Sequence, residues 1–128
     1  MPSRPLSPHL SVYKFKYTLT TSILNRLTGL GLSLALLALV YWLVSVADGA
    51  AAQQRAQRLF GLPLIKLMMA AFVFAFCYHL LAGIRHLIWD TGRGLERAQS
   101  QRSAWLIVIL SVLLTLALGY GFWHGRAV

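Results

Sequence analysis

Four residues within eight positions carry the most chemistry in this chain: His79, Gly83, Arg85 and His86, inside the apolar run that ends at Trp89. Ten residues separate His79 from that end, about 15 Å at helical rise. Snorkelling does not carry an imidazole that far to water, so a group inside the membrane must satisfy it. Neutral imidazole is a good iron ligand, and heme is a large, mostly apolar cofactor that helix bundles hold. Gly83 is one turn from His79 on the same face, where a missing side chain would let a flat macrocycle approach the backbone. His86 is two turns away on that face, nearer the helix end and placed for a propionate. Arg85 and Arg26 lie at similar depth and could pair with the same carboxylates. Two readings stand on these residues alone. His79 could ligate iron, or it could hydrogen-bond across helices without metal, with Gly83 serving close packing.

A second group lies at Ser22-Ile23-Leu24-Asn25-Arg26-Leu27-Thr28-Gly29. Ser22 and Arg26 are four apart and share a helical face. A hydroxyl and a guanidinium beside an apolar wall could hold a quinone by its carbonyl oxygens, and the arginine would stabilise charge developing on reduction. The plain alternative is a serine near a helix cap and an arginine at the lipid boundary.

The elements that must position these groups are spanning helices. The chain is 58% hydrophobic and 12% charged, against roughly 25% charged in soluble domains. No charge occurs from Leu27 to Ala47. A second apolar run follows Pro63 to Trp89, with Lys66 near its start, and a third runs from Ala104 to Trp123. Each is long enough to cross a hydrocarbon core of about 30 Å. The expected architecture is an all-α membrane protein with three transmembrane helices, at about 21–47, 63–90 and 103–124. An N-terminal arm at 1–20 precedes a transmembrane domain at 21–128. Residues 50–61 read as a polar linker.

The arm holds Pro2, Pro5 and Pro8 and lacks the apolar core of a signal peptide. Arg4, Lys14, Lys16 and Arg26 flank the first span on one side, joined by Arg93, Arg97 and Arg102 of the second loop. Arg55, Arg58 and Arg126 fall on the other side, with Lys66 just inside. The excess places the N-terminus in the cytoplasm and the C-terminus outside. The net charge of +9 sits between apolar runs and is not interleaved with aromatics, so nucleic acid is not an expected partner; the lipid membrane is. Cys77, the single cysteine, excludes an internal disulfide framework. Nothing here supplies a nucleotide-binding glycine fingerprint or a cysteine cluster. Asp90 reads as a helix-end residue paired with Arg93, or as a proton relay beside the site.

Arg4-Pro5-Leu6-Ser7-Pro8-His9-Leu10 with Val12-Tyr13-Lys14, then residues 22–29, then His79 to Asp90 (HLLAGIRHLIWD), resemble three signatures of the succinate dehydrogenase cytochrome b subunits. The resemblance covers nearly the whole chain. It implies that the three helices form half of a heterodimeric helix bundle, with heme b between this chain and a second small membrane anchor subunit. His79 would be this chain's axial ligand, and the partner would supply the other histidine. Ser22 and Arg26 match the family's quinone-site residues, and Arg26 and His86 match positions near the heme propionates. The resemblance further implies a flavoprotein subunit and an iron–sulfur subunit docked on the cytoplasmic side. Electrons then pass from succinate to ubiquinone, with this chain a non-catalytic-domain subunit in a bacterial inner membrane. Where many members carry histidine this chain has Asn25, which cannot bear positive charge. The alternatives are a heme-free structural anchor, a fumarate reductase anchor, and a small channel subunit using the arginines and histidines as a polar path.

Overall fold

The computed structural model describes residues 17–124, the side chains of Thr18, Trp123 and His124 excepted. The first signature motif, with His9, and the greater part of the N-terminal arm lie outside the described residues, as does Arg126. Four helices follow in order: α1 (Tyr17–Ala47), α2 (Ala50–Gly61), α3 (Pro63–Asp90) and α4 (Arg97–His124). Among them α1, α3 and α4 contain stretches long and apolar enough to cross a membrane: Leu19–Ala47, Pro63–Asp90 and Arg97–Phe122. The three-span architecture is therefore present.

Two expected boundaries move outward. α1 begins at Tyr17 rather than 21, and α4 at Arg97 rather than 103. Hydropathy marks the part of a helix that needs lipid, whereas backbone hydrogen bonding continues through polar residues of good helix propensity. The stretch Arg97-Ala98-Gln99 is of that kind. The Tyr17 hydroxyl donates to the Arg97 carbonyl at 3.2 Å, joining the first turns of α1 and α4. Trp105, read as marking the start of the third span, thus stands eight residues into α4, largely exposed.

The expected polar linker is also helical. Alanine, glutamine, arginine and leucine dominate residues 50–61, and all favour helix. Ala52, Ala56 and Phe60 are four apart and form one stripe. Ala52 and Ala56 are buried, and Phe60 meets Trp42 edge-on at 5.6 Å and Tyr41 at 6.2 Å. Arg55 and Arg58 are exposed on the remaining surface. This is an amphipathic helix folded back on the end of α1, the habit of an interfacial segment. The reversal into it uses Gly49 at φ 92°, backbone that a Cβ disfavours. Pro63 opens α3 in its first turn, where its missing N–H costs nothing.

α3 is the central element, packing on α1 along one side and α4 along another, while α1 and α4 barely meet. Its core is Tyr78, Ala82 and Ile107, with Leu24, Phe74, Leu81 and Val108 packed around them. The Tyr78 hydroxyl donates to the Thr21 carbonyl at 3.3 Å, which fixes the register of α3 against α1. Most large apolar side chains of α1 and α4 point outward, as lipid permits.

Candidate functional site

On the α1 side of α3, His79 lies against the backbone of the second motif. A Cβ added at Gly29 would stand 3.2 Å from His79 Cε1, and one at Gly31 would reach Ala75 at 4.0 Å. Small residues here let the two helices approach closely. The imidazole is half-buried. Its Nδ1 is 3.2 Å from the Asn25 carbonyl oxygen and 3.3 Å from Thr28 Oγ1. A carbonyl only accepts, so Nδ1 carries the proton and donates it. The assignment follows from the partners. Nε2 is then left with its lone pair and no hydrogen bond to any described residue. A histidine anchored through Nδ1–H to a carbonyl, with Nε2 open, is in the state a metal-ligating histidine adopts.

The surroundings fit a large flat group. A Cβ at Gly83 would meet nothing within 4 Å, so among the described residues nothing packs directly over Gly83, one turn from His79 on the same face. Beside them, Asn25 Oδ1 is buried without a hydrogen-bond partner among the described residues, although a buried polar atom is normally satisfied. His86, on the same face, is exposed and edge-on to Trp89 at 5.2 Å.

Ser22 and Arg26 are both exposed, and neither bonds to another described residue. At roughly 100° per residue, Ser22, Arg26, Gly29 and Ser33 form one stripe along α1. That stripe passes through Gly29, the glycine under His79. Two motifs read separately in the sequence are therefore adjacent in space, two successive turns of α1 serving both.

Arg85 belongs elsewhere. It is buried, and its Nη2 donates to the Ser100 carbonyl at 2.8 Å and to Ser100 Oγ at 3.0 Å. Its guanidinium lies 4.0 Å over the Trp89 ring, and Trp89 Nε1 donates to the Gly94 carbonyl at 3.0 Å. Gly94, at φ 74°, makes the turn that brings this carbonyl round. Arg85 thus clasps the end of α3 to the first turns of α4, and the structure does not bring its charge to the His79 face with Arg26 and His86. Its depth along the helix matches the sequence reading; its azimuth differs, six residues from His79 placing it about 120° away around the axis. Asp90 is exposed and forms no ion pair with Arg93.

Thr28 and Gly29 were not among the expected site residues. The signal for them was a small and a hydroxyl residue adjacent in a spanning helix, a pattern that marks close helix contact.

Residues 1–118 match the family described as the succinate dehydrogenase/fumarate reductase transmembrane subunit. The chain belongs to this family. The succinate dehydrogenase cytochrome b556 subunit of Rickettsia typhi is 42% identical over 116 residues, covering 90% of each chain. That of Paracoccus denitrificans is 37% identical over 114 residues, covering 89% of this chain and 88% of its own. The mitochondrial cytochrome b560 subunit of Bos taurus is 36% identical over 118 residues, covering 91% of this chain and 70% of its own. As a transmembrane subunit of this family, the chain is one member of a multi-subunit membrane complex. Within that family setting, the cradle around His79 is the feature of this chain that its own geometry singles out.

Proposed function

We propose that this chain is a membrane anchor of succinate dehydrogenase that holds heme b and contributes to the quinone site. One observation supports the reading above others: His79 is fixed by its Nδ1 to α1, while its Nε2 has no hydrogen bond and Gly83 beside it no neighbour among the described residues. Heme, when bound, supplies one-electron chemistry within the membrane. His79 would hold it through Nε2. Gly83 leaves the face open, and Arg26 and His86 stand nearer the helix end for the propionates. No other histidine of this chain is deep enough to be the second ligand, so a second small anchor subunit supplies it. Arg85, spent on Ser100 and Trp89, has no part in this site.

Ser22 and Arg26 bind ubiquinone. The serine hydroxyl donates to a quinone carbonyl, and the arginine offsets negative charge as electrons arrive from the iron–sulfur subunit. The flavoprotein subunit performs the succinate chemistry, for which this chain has no residues. Arg26, Arg93, Arg97 and Arg102 lie at the end of the bundle that faces the cytoplasm, across a bacterial inner membrane.

The test is the visible spectrum of the gently purified complex, before and after succinate and then dithionite. A b-type heme reduced by succinate supports the whole reading. Reduction by dithionite alone keeps the ligand and leaves the donor open, the result a fumarate reductase anchor would share. An intact complex without heme sinks the ligand assignment and leaves a structural anchor.

A further inference from the structure

Thr28 is buried, and its hydroxyl makes three contacts. Oγ1 is 2.9 Å from the Leu24 carbonyl, 2.9 Å from the Asn25 carbonyl and 3.3 Å from His79 Nδ1. A hydroxyl has one proton and two lone pairs. Both backbone oxygens are acceptors, so the Thr28 proton is committed to them, and toward Nδ1 the hydroxyl can only accept. The Nδ1 proton is therefore shared between the Asn25 carbonyl at 3.2 Å and Thr28 Oγ1. The same threonine also donates to the Asn25 carbonyl. Thr28, the Asn25 carbonyl and the imidazole form a closed triangle, and Gly29 lies flush beneath the ring.

We infer that Thr28 is a positioning residue for His79: its hydroxyl, with the Asn25 carbonyl, fixes the imidazole tautomer and sets how strongly Nε2 donates to iron. This rests on the assignment of His79 as heme ligand and goes beyond it. The physics is direct. Accepting from Nδ1–H moves electron density into the ring, which makes Nε2 the better donor. A better donor favours oxidised iron and lowers the heme potential. Loss of such outer partners weakens metal holding by about 10- to 100-fold. Because Ser22 and Arg26 stand on α1 within two turns of Thr28, the helix that seats the quinone residues also holds the ligand.

The experiment uses the complete complex carrying Thr28→Val, which keeps the shape and removes the hydroxyl, and Thr28→Ser, which keeps the hydroxyl. Three quantities are read: heme midpoint potential by redox titration, the low-spin ferric signal by electron paramagnetic resonance, and extraction of heme by excess apomyoglobin. Thr28→Val is expected to raise the potential, shift the ferric signal and speed extraction about tenfold; Thr28→Ser is expected to restore all three toward wild type. Unchanged values in Thr28→Val overturn the inference. So does an equal shift in Thr28→Ser, since side-chain packing and not the hydroxyl would then be responsible. A Thr28→Val complex that does not assemble also overturns it, because the hydroxyl would then be holding the helix rather than tuning the ligand. A His79→Leu complex separates the two levels. If that variant loses heme while Thr28→Val changes nothing, this inference alone fails; if it keeps a normal heme, the ligand assignment fails as well.

Discussion

The two sides of α3 treat their polar residues in opposite ways. Toward α4, Arg85 is buried and its terminal nitrogen is spent twice on Ser100, with the guanidinium face spent on Trp89. Toward α1, His79 is half-buried and only Nδ1 is engaged. Both are expensive residues for a spanning helix. The arginine is compensated within the chain at Nη2 and at its ring-facing side, with only Nε left buried and unpartnered among the described residues; the histidine keeps its one strong acceptor, Nε2, without a partner among them. A side chain whose partners are all internal holds the fold. One that is anchored at one atom and left open at another points to something outside the chain.

This contrast can be broken. The largest expected effect is from His79→Leu, which removes the ligand while filling the space with an apolar side chain. The complex should assemble with its b-type spectrum gone, and retention of that spectrum in the purified variant would defeat the assignment. Arg85→Met should do the reverse. It removes the clasp on Ser100 and should cost about 2 kcal/mol, the scale of hydrogen bonds to a charged group. Thermal unfolding in detergent would show the loss, and the heme spectrum should be unchanged. A spectral change with no loss of stability would put Arg85 back among the site residues.

Arg26→Leu sharpens the contrast within α1. Arg26 is exposed and makes no bond to another described residue, so the fold should not weaken. Loss of a charged hydrogen bond to quinone predicts about a tenfold fall in kcat/KM for quinone. Succinate oxidation with an artificial acceptor should be spared; equal loss in both assays would assign Arg26 to assembly instead. The smallest effect belongs to Phe60→Ala, at the far end of the bundle. It removes the edge-on contact with Trp42 and should cost about 1 kcal/mol of aromatic pairing. Faster amide exchange confined to residues 50–61 would report it, and unchanged exchange there would mean that Ala52 and Ala56 alone seat α2.

The amino-acid sequence by itself determined the three spans, the depth of His79 within the second and the polar opening of the first. These are local properties. An uncharged run from Leu27 to Ala47 declares its solvent without reference to any neighbour, and rise per residue converts position into depth. The sequence also placed His79, Gly83 and His86 on one face, because periodicity is a property of a single helix. It did not reveal α2, since an alanine-rich stripe reads as a linker until Tyr41 and Trp42 are seen to receive Phe60. Only the tertiary structure decided which neighbour each face of α3 meets. That choice sent Arg85 to Ser100 rather than to the His79 face, and set Asn25, Thr28 and Gly29 under the imidazole. Depth along a helix follows from counting residues; azimuth against its neighbours follows from how the helices pack, and no single helix contains it.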